Sequence, residues 1–137
     1  MHYLPPLVSA IAMFILGGLW YSPMLFAKPW TQAMGIDTSD KAKVDEMRKK
    51  AGPAYLQTFL LAIFTSLIFQ RLFISESVHS VRRGIEITVV LCLATVVVSK
   101  YTQKLFAQSS AKLFFIDAGY YLASFAVMGA ILAAWRA

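Results

Sequence analysis

Four apolar runs of roughly 20 residues constrain this chain more than any other feature, because none of them has a polar face. A bilayer core of about 30 Å takes about 20 residues of helix, and a helix that is apolar all round suits lipid better than the surface of a water-soluble core. The runs predict spans at 7–27, 54–74, 84–100 and 113–135. Pro5 and Pro6 stand where the first helix begins, a place where a missing N–H costs little. Gly52-Pro53 stands just before the second. The third run is the shortest and the richest in β-branched residues. In water it would suit a strand, but an unpaired strand in lipid leaves its backbone groups unsatisfied, so a helix is expected. The expected fold is all-α: an integral membrane four-helix bundle in one domain, 1–137, built as two tandem transmembrane helical hairpins.

The distribution of charge agrees. Charged residues make up 15% of the chain and hydrophobic ones 58%, and the charges gather at 28–50, 71–86 and 100–117, between the runs. The formal net charge is +6. Nucleic-acid binding would need a basic stripe on an exposed fold, whereas these cations flank apolar spans and point to the lipid bilayer as the partner. Nine of the 13 Lys and Arg residues fall in the loops 28–53 and 100–112, and the other four are Arg71, Arg82, Arg83 and Arg136. The positive-inside rule then puts both Lys-rich loops in the cytoplasm and both termini outside, in the periplasm of a bacterial cell (inner) membrane. The N-terminus lacks the basic segment of a secretory signal, so the first run is expected to stay as a span.

The loop 28–53 has a Gly35 stop signal, Asp37 or Thr38 as a cap, and a helix to about Lys50 carrying Asp45–Lys49 and Glu46–Lys50 pairs. Its apolar stripe, Val44, Met47 and Ala51, is thin, which favours a solvated connector over a helix lying on the headgroups.

Asp117 is the most informative polar residue. It lies about one turn inside the fourth span, where a carboxylate costs less than the roughly 2.5–3.5 kcal/mol of mid-membrane but still needs a partner. It reads either as a proton- or cation-handling group or as half of a structural ion pair with Lys100, Lys104 or Lys112. The stretch Gly17-Gly18-Leu19-Trp20-Tyr21-Ser22-Pro23 ends the first span. Pro23 is expected to free the Leu19 carbonyl and kink the helix, and Ser22 to bond back to a carbonyl. Trp20 and Tyr21 read as cavity lining or as interfacial anchors. Counted from their cytoplasmic ends, the Trp20, Tyr21, Ser22, Pro23 segment and Asp117 with Tyr120 share one depth, and with Lys100 as a further donor they form the candidate binding site. Gly17, Gly18, Gly119, Ala123, Ala126, Gly129 and Ala130 supply small-xxx-small rows for helix packing, within the bundle or in a homo-oligomer. Arg82 and Glu86 stand at i,i+4 spacing and suggest a surface pair.

An internal echo accompanies these features. Tyr21-Ser22-Pro23-Met24-Leu25-Phe26-Ala27 resembles Tyr101-Thr102-Gln103-Lys104-Leu105-Phe106-Ala107, and Tyr55-Leu56-Gln57-Thr58-Phe59 resembles Tyr121-Leu122-Ala123-Ser124-Phe125. A true repeat would give a pseudo-two-fold axis along the membrane normal; chance matching among aromatic helix ends is the alternative.

Gly18-Leu19-Trp20-Tyr21-Ser22-Pro23 with Leu25-Phe26, Lys28 and Trp30, followed by Lys112-Leu113-Phe114, Gly119-Tyr120, Met128-Gly129-Ala130-Ile131-Leu132 and Trp135, resembles the domain-of-unknown-function 1761 family over the whole chain. The resemblance implies a small, mostly bacterial membrane protein with four spans and no established activity. Members often carry Asn where this chain has Asp117, so the resemblance supplies no shared catalytic carboxylate.

Cys92 is alone, and His2 and His79 have no ligand-spaced neighbours, so no metal site is expected. No cofactor motif and no nucleophile–base pair stands out. Three functions remain: a binding or transport-related module with a cytoplasm-facing polar and aromatic site for a small-molecule or lipid ligand; a structural or assembly protein working through helix packing; and, with least support, a membrane enzyme acting on a lipid or quinone.

Overall fold

The computed structural model describes residues 2–136, all-α among those residues. Its helices are α1 (Leu4–Trp20), α2 (Ala27–Ala33), α3 (Lys41–Ser75), α4 (Val81–Cys92), α5 (Val98–Ala107) and α6 (Ala111–Ala134), with a π-helical turn, Leu93–Val97, joining α4 to α5. Two of them, α3 and α6, are long and apolar enough to cross a membrane. The third apolar run is helical, as expected, but longer than expected and interrupted by the π turn.

Side chains start three of the helices. Asp40, Ser80 and Ser110 each accept from a backbone N–H three residues on, Lys43, Arg83 and Leu113 respectively. The cap of α3 is thus Asp40, not Asp37 or Thr38. Asp37 instead accepts from the Ser39 amide at 2.9 Å and the Ser39 hydroxyl at 2.5 Å, and these bonds hold its carboxyl below the usual value. Left-handed residues close three ends: Gly35 after α2, Ser77 after α3 and Gln108 after α5. Gly35 is where the sequence signalled a stop.

Two boundaries differ from expectation. The first helix ends at Trp20 rather than continuing, kinked, to 27. The Leu19 carbonyl receives both the Ser22 amide and the Ser22 hydroxyl, at 3.2 and 2.6 Å, and Pro23 offers no N–H to extend the ladder. The Phe26 amide then closes the turn on the Trp20 carbonyl. Conversely, α3 runs straight through Gly52-Pro53, so the loop helix and the second span are one 35-residue helix. Pro53 cannot bond the Lys49 carbonyl, but that level of α3 is exposed and water can serve the carbonyl instead. The ion pairs described are Glu46–Lys50 at 3.2 Å, Arg82–Glu86 at 2.9 Å and Arg83–Glu86 at 3.9 Å; Asp45–Lys49 is not among them.

The core centres on α6, which packs against α4 on one side and α1 on the other, while α3 lies mainly along α1. Phe73, Met128 and Leu132 are buried there. Helices α4 and α6 approach through glycine: a Cβ at Gly84 would lie 2.6 Å from both the Gly129 carbonyl oxygen and the Ala133 Cβ. At one end of the molecule the Ser66 hydroxyl donates to the Pro6 carbonyl at 2.9 Å, and the Gln70 amide donates to the His2 carbonyl at 2.8 Å, tying α3 to the start of α1.

A parallel two-fold between hairpins would pair α3 with α4 as closely as α1 with α6. Instead α3 and α4 share a short connection and little packing. The segment at 21–26 is a turn, while its echo at 101–107 is helix.

Candidate functional site

The end of α1 and the first two turns of α6 lie antiparallel and meet at the same level. Tyr21 caps α1, with its N–H on the Gly17 carbonyl at 3.1 Å, and its phenol reaches across to α6. There it donates to Asp117 Oδ1 at 2.6 Å, a short, charge-assisted bond. Next to it, Trp20 Nε1 donates to the Ile116 carbonyl at 3.0 Å. The same indole lies over Gly119, where a Cβ would come within 3.0 Å of its ring. Tyr120 points the other way along α1, donating to the Met13 carbonyl at 3.2 Å, and its phenol fills the space beside Gly17.

Aromatic rings close the cluster. Tyr21 stands edge-on to Tyr120 at 5.5 Å and to Trp30 at 5.9 Å, and Trp20 leans on Phe26 at 4.9 Å. Phe26 and Trp30 belong to the turn and to α2, which folds back against α6. Neither was among the candidate site residues, although Lys28-Pro29-Trp30, a cation, a helix-start proline and an amphipathic aromatic, is the kind of text that seats a short interfacial helix.

The candidate residues therefore divide. Trp20, Tyr21, Asp117 and Tyr120 are brought together. Ser22 and Pro23 shape the turn that follows, and the Ser22 hydroxyl is spent on the Leu19 carbonyl. Lys100 makes no ion pair with Asp117. Its Nζ lies 5.5 Å above the ring of Tyr121 instead. Asp117 is half-buried, and among the described residues its second carboxylate oxygen has no hydrogen-bond partner. That oxygen can therefore accept from a cationic or hydroxylic ligand.

The packing residues divide as well. Gly17, Gly119 and Gly129 sit at close contacts, and Gly18 faces open space. Ala123, Ala126 and Ala130 are half-buried on α6. Gly84 makes the tightest approach together with Gly129 and was not singled out, although Gly84 and Thr88 form a small-xxx-small step. Among the described residues no group of His, Cys, Asp and Glu is arranged to hold a metal.

No curated protein and no solved structure matches the chain. The family model described as a protein of unknown function (DUF1761) matches residues 4–133, nearly the whole length, and the chain belongs to that family.

Proposed function

We propose that the protein is a four-span integral membrane protein of the bacterial inner membrane, a small binding or transport-related module whose site, Trp20, Tyr21, Asp117 and Tyr120, faces the cytoplasm. Two observations support the membrane reading. On α3, Leu60, Leu61, Phe64 and Ile68 are each more than half exposed, a face that water would not tolerate and acyl chains would. Helix α1 has 17 residues, about 26 Å, and the continuous helix from α4 through α5 is longer; both are close to or beyond the bilayer core.

The observation that carries the site is the Tyr21–Asp117 hydrogen bond. A carboxylate placed inside a span is a functional hypothesis by default. Here it is paired with a neutral donor rather than a Lys or Arg, so its charge remains available to a ligand. The test uses a W30F/W135F protein, whose remaining indole is Trp20, in detergent. Its fluorescence is followed against a panel of organic cations and neutral amphiphiles. Saturable change that disappears in D117N supports the reading. No response, or an equal response in D117N, overturns it.

The assembly reading keeps one specific observation. Ala126, Ala130 and Ala134, spaced four apart on α6, are left partly uncovered by the other helices. A second copy of the chain would find a close-packing face there. Cross-linking between A130C protomers in native membranes distinguishes it.

A further inference from the structure

Beside the π-helical turn lies a groove of about 280 Å³, bounded by Thr95, Val96, Ser99, Lys100 and Gln103 on one wall and Tyr121 of α6 on the other. We propose that this groove binds the anionic phosphate of an amphiphile or of a small phosphate ester, with Lys100 as the counter-charge. The inference rests on the membrane reading above but not on the Asp117 site.

The chemistry of the wall points to that ligand. Lys100 is half-buried, and no carboxylate lies within ion-pair distance among the described residues. Its ammonium rests over the Tyr121 ring, a contact that orients it while leaving donors unspent. Ser99 and Gln103 are one helical turn apart and share the groove with Lys100. Among the described residues neither the Ser99 hydroxyl nor the Gln103 amide has a hydrogen-bond partner. Thr95 is different: its hydroxyl is committed to the Leu91 carbonyl at 2.6 Å. A cation with two uncommitted neutral donors beside an aromatic wall matches the oxygens of a phosphate better than a cation or a neutral sugar.

Position adds a second argument. Lys100 lies in α5, on the Lys-rich side of the chain, with Lys104 stacked on Tyr101 one turn further along. Basic pockets between membrane helices on the cytoplasmic side are suited to anionic headgroups. Asp117 lies one turn before Tyr121 on α6, but its Oδ1 accepts from Tyr21 and it makes no ion pair with Lys100. The π turn itself widens the helix where the groove forms, and such turns recur at functional sites.

The full-length protein, purified in neutral detergent, is exposed to equimolar phosphatidylglycerol and phosphatidylcholine, and bound lipid is counted by native mass spectrometry. The expected result is preferential retention of phosphatidylglycerol, a loss of about five-fold in K100Q, retention in K100R, and no change in K112Q, whose lysine lies outside the groove. A thermal melt of each variant controls for folding, and S99A/Q103A provides a second weakening independent of charge. A parallel titration with glycerol 3-phosphate separates the sources. If it displaces the lipid and binds with the same dependence on Lys100, the ligand is a soluble phosphate; if it does neither while the lipid stays, the ligand is a headgroup. Equal retention of the two lipids with no Lys100-dependent binding of glycerol 3-phosphate overturns the proposal, as does K100Q behaving like wild type in both titrations. Carbonate washing of membranes tests the membrane reading separately: a chain that washes off fails that reading while the phosphate titration still decides the groove.

Discussion

The phenol of Tyr21 donates to Asp117 Oδ1 at 2.6 Å, joining residues 96 positions apart where α1 ends and α6 begins. Tyr21 caps α1, its own N–H still bonded to the Gly17 carbonyl, so its phenol projects from the last turn of the helix toward α6. Removing either side is therefore informative. Y21F is expected to lower stability in detergent by about 1–2 kcal/mol, since the carboxylate loses its donor. D117N, whose amide oxygen still accepts, is expected to cost less. A double-mutant cycle read by thermal melts checks this, and a coupling near zero would show the bond to be idle.

Glycine at the helix crossings gives opposed expectations. G84A and G129A each push a methyl into the facing backbone and are expected to destabilise by about 1–3 kcal/mol or more. G18A faces open space and is expected to be neutral or to stabilise by about 0.4–1 kcal/mol through the unfolded chain. Melting temperatures of the three variants decide it, and equal losses at Gly18 and Gly84 would contradict the packing described.

Topology follows from the Lys and Arg asymmetry. A reporter inserted within 36–40 should read cytoplasmic, and one at the C-terminus periplasmic. A cytoplasmic C-terminus sinks the orientation, and with it the cytoplasmic placement of the Asp117 cluster.

Asp37, in the segment between α2 and α3, offers a pH test. The Ser39 hydroxyl, then the Ser39 amide, lowers its carboxyl below 3.8. A depressed carboxyl stabilises the fold above the unfolded value, and that contribution fades as pH falls through the folded one. S39A removes the larger cause, so the Asp37 carboxyl resonance should titrate at higher pH in that variant. An unchanged midpoint would show the hydroxyl to be uninvolved.

Helix content was legible because long, uniformly apolar runs satisfy their backbone groups within a helix. The ends were harder. Asp37, Thr38, Ser39 and Asp40 can all cap a helix, and which one does so depends on how the chain leaves Gly35, a matter of local dihedrals rather than residue type. Pro53 reads as a start signal, yet in an exposed helix it is tolerated with one carbonyl hydrated. The depth argument setting Trp20 and Tyr21 level with Asp117 needs only counting from the helix ends. It does not say which way a lysine turns: Lys100 had both a carboxylate and an aromatic face within its general reach, and sequence carries no term that ranks them. Nothing local in the sequence marks Gly84, because its partner row, Gly129 and Ala133, lies 45 and 49 residues further along the chain.

The π-helical turn at Leu93–Val97 also works as a phase shift. A turn holding one surplus residue rotates everything after it by about 100° relative to an uninterrupted helix. Lys100, Gln103 and Lys104 owe their azimuth to that surplus, while Gly84 and Thr88, upstream, keep theirs from the α6 crossing. Deleting a single residue, Thr95, would let α4 and α5 merge into one regular helix of nearly unchanged length and hydropathy, yet the lysine now facing Tyr121 would point elsewhere. The chain thus stores the orientation of its basic end in a residue count, invisible to composition and independent of which side chain occupies the extra position.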